Sequence, residues 1–201
     1  LAPTDATGSP YSSPSGSALN PWFLDADDLV AEGWLDARAR DGLPGAQNGP
    51  PRLDPPLADA RADALRQALR QSLDLQPAER RRAFEAWRLQ QRHWLRDHCR
   101  FMVLRQRQGG LPWWQWPAPL AGRQRQALEQ LDREQALALE GEALIQWLLQ
   151  TQWQELQRRA RDGGVSLVGD LPFYVAHDSV DAWCRPGLFA LARDGSLLQQ
   201  S

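Results

Sequence analysis

Apolar positions along the chain fall into helical stripes separated by breaks rich in glycine and proline. Ala58, Ala62, Leu65, Leu69 and Leu73 recur at helical spacing and predict one buried face over residues 57–73. A stronger stripe opens after Pro77, a residue tolerated in a helix's first turn, and carries Phe84, Trp87, Trp94, Leu95, His98, Phe101 and Met102. Arginines fill its other face, which reads as solvated surface, and His98 reads as a core histidine with its hydrogen bonds satisfied, a ligand role being the lesser alternative. Residues 109–119, GGLPWWQWPAP, end that helix. Three tryptophans in four positions are costly to expose, so they are expected on neighbouring helices, with a carbohydrate platform as the other reading. Residues 123–162 turn helical again, as two helices joined near Glu140 and Gly141. The second buries Ile145, Leu148, Leu149, Trp153, Leu156 and Ala160.

The pattern then changes period. Gly163 and Gly164 close the helix, and residues 165–168 form a short apolar run that predicts a strand buried on both faces. Gly169 and Asp170 fall at its end, and Pro172 stops further pairing. Helix, glycine turn, strand and polar loop make one αβ unit, so the fold class is α/β. In barrels of such units the chemistry sits in the loops at the carboxyl ends of the strands, where Asp170, His177, Asp178, Ser179 and Asp181 fall.

Upstream, residues 1–20 have loop composition around a single aromatic, Tyr11. On a proline-stiffened loop its flat face and phenol suit stacking on a sugar ring; filling a hydrophobic gap is the competing role. Asp25, Asp27 and Asp28 mark a helix start, with the helix running to Trp34 or Leu35. Residues 41–56 form a second loop.

Composition narrows the function classes. The 201 residues suffice for one core or for part of a larger one. The net charge is −2 and all 23 basic side chains are arginine, which leaves no basic footprint for nucleic acid. No apolar run approaches the roughly 18 residues that span a bilayer. The start lacks a signal-peptide pattern, and Cys99 and Cys184 read as free thiols of a cytoplasmic protein. Met102 is the one methionine, Leu1 comes first and Ser201 last, which predicts an internal piece of a larger protein.

Candidate chemistry is thin on residue types alone. Asp170, His177, Asp178 and Asp181 match no compact metal-binding loop. Ser179 is not on a nucleophile elbow. Paired carboxylates for glycosyl transfer are set by tertiary structure.

Four passages add more: GSPYSSPSGSALNPWFLD, WLRDHCRFMVLRQRQGGLPWWQWP, LLQTQWQELQRRARDGGVSLVGD, and GDLPFYVAHDSVDAW followed by CRPGLF. In this order they closely resemble the amylomaltases, the 4-α-glucanotransferases of glycoside hydrolase family 77 in the α-amylase-like superfamily. Phe173 departs from a common aliphatic, and residues 136–142 are less typical. The resemblance implies part of a (β/α)₈ TIM barrel, from the end of strand two to just after strand three, with a large helical insertion. Residues 1–21 would be the end of strand two and its loop, 22–162 mainly the insertion, and 163–201 strand three and the following loop. It implies retaining transfer of α-1,4-glucan segments from a maltooligosaccharide donor to a glucose or oligosaccharide acceptor, with no metal or organic cofactor. The nucleophile and acid/base would lie beyond Ser201, so no catalytic residue is assigned here. Tyr11 matches the family's sugar-contacting tyrosine and Asp170 the aspartate lining the cleft; His177, Asp178, Ser179 and Trp183 extend that wall. From another class, a non-catalytic helical module holding a glucan or protein through its tryptophans remains the alternative.

Overall fold

Two long helices carry the fold. The computed structural model describes residues 2–4, 9, 11–45, 54–169, 174–192 and 194–198. Asp25 caps α1 (Ala26–Ala31), its carboxylate accepting from the amides of Asp27 and Asp28. The helix stops short of Trp34 because Gly33 takes φ 76°, which lets the chain turn and bury the indole. Asp36 caps α2 (Ala37–Asp41), and Asp54 caps α3 (Pro55–Leu73) with Pro55 in its first turn. Each such cap contributes about 1 kcal/mol. Then come α4 (Ala78–Arg107), α5 (Ala118–Ala121), α6 (Arg125–Glu134), α7 (Ala136–Asp162) and α8 (Val180–Cys184).

Helix α7 packs on both α4 and α3. The stripe of α3 is buried from Ala62 through Leu73, against Leu144, Ile145 and Leu148 of α7 and Phe84 and Leu95 of α4. A second cluster joins Phe101 and Leu104 of α4 to Trp113, Trp116, Leu128, Leu131 and Trp183. The predicted burial of the tryptophan run therefore holds for Trp113 and Trp116, with Trp114 half-buried.

Three expectations are corrected. The break falls at Gln135, between α6 and α7, and Gly141 lies inside α7. A β-carbon there would sit 3.2 Å from the Arg66 side chain, so this glycine serves the close crossing of α3 and α7. Leu156 is exposed, so the buried face of α7 fades towards its end. The arginine face of α4 is not simply solvated. Arg100 is buried and grips Asp132 of α6 by two hydrogen bonds of 2.8 and 2.6 Å.

The α/β expectation is met only on its helical side among the described residues. They contain no strand, and one isolated antiparallel bridge pairs Leu191 with Leu197. Residues 165–168 form neither ladder nor buried core; Val168 is 95% exposed. A strand needs neighbours along its edges, and no described residue supplies them. Residues 2–4 likewise carry no strand.

His98 is a core histidine, as its stripe position predicts, but the expectation that its hydrogen bonds are satisfied is corrected: Nδ1 has no partner among the described residues. Burial, helped by the Arg66 charge, lowers its pKa to about 4. In the unfolded chain it titrates near 6.5. The folded state thus favours the neutral ring, so this contribution is whole above about pH 6.5 and shrinks towards pH 4. The total loss is about 3 kcal/mol. Urea unfolding across that range is expected to show this decline, with a shallower slope in His98→Leu; equal slopes would refute the assignment.

Candidate functional site

Serine and proline chemistry shapes the loop that carries Tyr11. The Ser13 hydroxyl donates to the Ser15 carbonyl at 2.8 Å and accepts from the Ser15 amide at 3.2 Å, while Ser15 Oγ accepts from the Ala18 amide. Ser13, Pro14 and Ser15 are buried; Tyr11 is 47% exposed. The loop then docks on the one that follows residue 174. Ala176 N–H donates to the Ser13 carbonyl, Val180 N–H to the Pro14 carbonyl at 2.9 Å, and the Asp181 carboxylate accepts from Gly16 N–H at 2.9 Å. The two segments singled out from sequence, 165 residues apart, are therefore one unit.

Tryptophans from the break after α4 fix the second loop. The His177 ring stacks on Trp114 at 3.7 Å and 8° between planes, and its Nε2–H donates to the Gly195 carbonyl at 2.7 Å. The Trp113 indole donates to the His177 carbonyl at 2.9 Å. Gly195 has φ 84°, and a β-carbon there would lie 2.8 Å from the Trp113 ring and from Trp114 Cβ, so only glycine fits this turn. Asp178 accepts from the Trp113 amide at 3.1 Å and pairs with Arg105 at 3.2 Å. Burial raises its pKa above the usual carboxylate value, against the pull of Arg105 and the amide.

Ser179 and Trp183 act from behind this surface. Ser179 is fully buried and caps α8, its hydroxyl accepting from Ala182 N–H at 3.2 Å. Trp183 is 1% exposed; its indole donates to the Leu120 carbonyl at 3.0 Å, and the Arg123 guanidinium stands 4.3 Å over its ring. Asp170 lies outside the described residues.

A cleft of about 910 Å³ is lined by Asn20, Trp22, Phe23, Asp27, Arg40 and Arg61 among others, and none of the described sequence-predicted site residues lines it. Among the described residues no three His, Cys, Asp or Glu side chains could hold a metal ion. No described helix is long and apolar enough to cross a membrane. Sequence reasoning missed Gln146, Gln152 and the anchoring role of Asp181. The one available signal was a glutamine, Gln146, set between Ile145 and Leu148 on a buried face.

The family described as 4-alpha-glucanotransferase matches residues 1–196. The 4-alpha-glucanotransferase of Thermus thermophilus is 37% identical over 196 residues, covering 97% of this chain and 38% of the relative. That of a Synechocystis strain is 34% identical over 191 residues, covering 95% and 38%. Among solved structures, the amylomaltase from Streptococcus agalactiae in complex with acarbose superposes with a TM-score of 0.88 at 26% identity, over 97% of this chain and 39% of that one. The chain thus spans somewhat over a third of these relatives' length. With the family's pattern running through both docked loops and the helices between them, the chain belongs to the 4-alpha-glucanotransferase family.

Proposed function

We propose that this chain forms part of the glucan-binding wall of a 4-α-glucanotransferase that moves α-1,4-glucan segments between maltooligosaccharides. The observation that carries this is family likeness over residues 1–196, joined to a TM-score of 0.88 with an amylomaltase. In this reading residues 1–21 are the loop after the second barrel strand, 22–162 the helical insertion, and 163–201 the third strand with its loop. Residues 165–168 would pair once the other barrel strands flank them. Tyr11, about half exposed, would stack on a sugar ring, and Asp170 would line the sugar groove of the complete barrel at the strand's end. His177 and Asp178 extend the wall, held by Trp114, Trp113 and Arg105. Ser179 and Trp183 support it from within the fold.

Transfer with retention requires one carboxylate to form a glycosyl-enzyme and a second to act as acid and then base. The proposal assigns both to barrel strands outside these 201 residues. A glucose or oligosaccharide acceptor completes the cycle, and the cytoplasm suits two free cysteines. A polypeptide carrying this chain on a complete barrel is expected to convert maltotriose into glucose and longer oligosaccharides, followed by chromatography. The 201-residue chain alone is expected to leave maltotriose unchanged. No redistribution by the complete barrel, or turnover by the chain alone, contradicts the proposal.

A further inference from the structure

The Gln146 amide on α7 accepts from Leu19 N–H at 2.9 Å and donates to the Leu19 carbonyl at 2.9 Å. Six residues on, Gln152 repeats the arrangement with Asp25: 2.9 Å from its N–H and 2.9 Å to its carbonyl. Both backbone partners are also six residues apart. Six helical residues rise only about 9 Å, whereas six extended ones cover about 20 Å. The short 3₁₀ turn Pro21–Phe23 shortens the chain between the two partners; Asn20 caps it by accepting from Trp22 N–H at 3.0 Å.

An amide is the side chain that offers one donor and one acceptor side by side, so each glutamine imitates a neighbouring strand residue. Gln146 is 3% exposed, between Ile145 and the Leu148–Leu149 pair. An aliphatic residue would fill that place without involving the loop. An amide there is costly to bury unless the loop is seated on it. Seating of the loop and satisfaction of the core are one event.

We infer that Gln146 is a positioning residue. Together with Gln152 and the Asp181 contact to Gly16, it presets the Tyr11 loop before a glucan arrives. This rests on the reading of that loop as a sugar-contacting wall. Preset loops spare a ligand the entropy of ordering them, so the effect falls on affinity.

Gln146→Glu tests it without changing side-chain size. One oxygen still accepts from Leu19 N–H, but an ionised carboxylate has no proton for the Leu19 carbonyl, and a protonated one does. Burial raises that carboxyl's pKa, bringing the switch into reach of mild acid. Amide hydrogen exchange on the chain is expected to show Leu19 protected at both pH 8 and pH 6 in the parent. In Gln146→Glu, protection should fall about tenfold near pH 8, the scale of one lost hydrogen bond, and return near pH 6. Gln146→Leu should lose it at both. Should Gln146→Glu fail to fold, Gln152→Glu repeats the test at Asp25, on a less buried site.

In the complete enzyme, Gln146→Glu should raise KM for maltotriose several-fold near pH 8 with little change in kcat, and recover near pH 6. Exchange that ignores the substitution overturns the clip. Altered exchange with an unchanged KM overturns the positioning role. A parent enzyme inert towards maltotriose overturns the sugar reading instead, leaving the exchange result standing.

Discussion

Trp183→Ala is expected to reduce the free energy of unfolding by about 3–5 kcal/mol, the range for truncating a buried aromatic to alanine. The indole fills the second core beside Phe101 and Trp116, at ring-centre distances of 5.9 and 5.6 Å. Its N–H satisfies the Leu120 carbonyl, and its face carries the Arg123 guanidinium. Truncation leaves a cavity, an orphaned carbonyl and an arginine without its ring. Trp183→Phe, which refills most of the space, should cost clearly less. Denaturant unfolding followed by far-UV circular dichroism measures both; a loss below about 1 kcal/mol for the alanine variant would show that the cluster is not a core. Under the proposed function, weakened glucan affinity in such variants would follow from loosening of α8, whose first-turn Asp181 holds Gly16.

Glu142→Ala should have a comparable effect, about 3 kcal/mol, because it strands a largely buried cation. Glu142 is 4% exposed and its carboxylate stands 2.7 Å from Arg66 Nε across the α3–α7 crossing. Burial raises the Glu142 pKa despite the Arg66 charge. Burial also opposes charge on Arg66, but Glu142 and Asp63 more than offset it, so that guanidinium stays charged. Once Glu142 is removed, the half-exposed Asp63 and the exposed Asp59 are left to offset the Arg66 charge. The double replacement Arg66→Leu with Glu142→Leu is expected to be nearer the parent than Glu142→Ala, since no charge is left buried. A double variant as unstable as the single one would refute this account.

Stripe logic recovered the helices whose spacing speaks for itself. Ala62, Leu65, Leu69 and Leu73 are buried as read, as are Phe84, Leu95, His98 and Phe101. It failed where one residue type serves two purposes. Gly141 signals a break by propensity but serves a close helix crossing, a tertiary fact invisible in the local window. Arg100 and Arg105 look like solvated charge until the fold brings Asp132 and Asp178 to them. Family likeness put the two site loops on one wall but did not show their docking, which rests on backbone groups of Ser13, Pro14 and Gly16 that leave no trace in side-chain pattern. The glutamine clips were missed for the same reason: their partners are main-chain atoms.

The open apolar run after α7 bears on how the chain behaves among copies of itself. Val165 and Leu167 are at least half exposed, Val168 nearly wholly so, and residues 166–169 make no hydrogen bond to another described residue. A bare apolar run of valine and leucine can recruit a matching strand edge. At high concentration another molecule's identical run becomes the readiest match, so self-association grows with every increase in protein concentration.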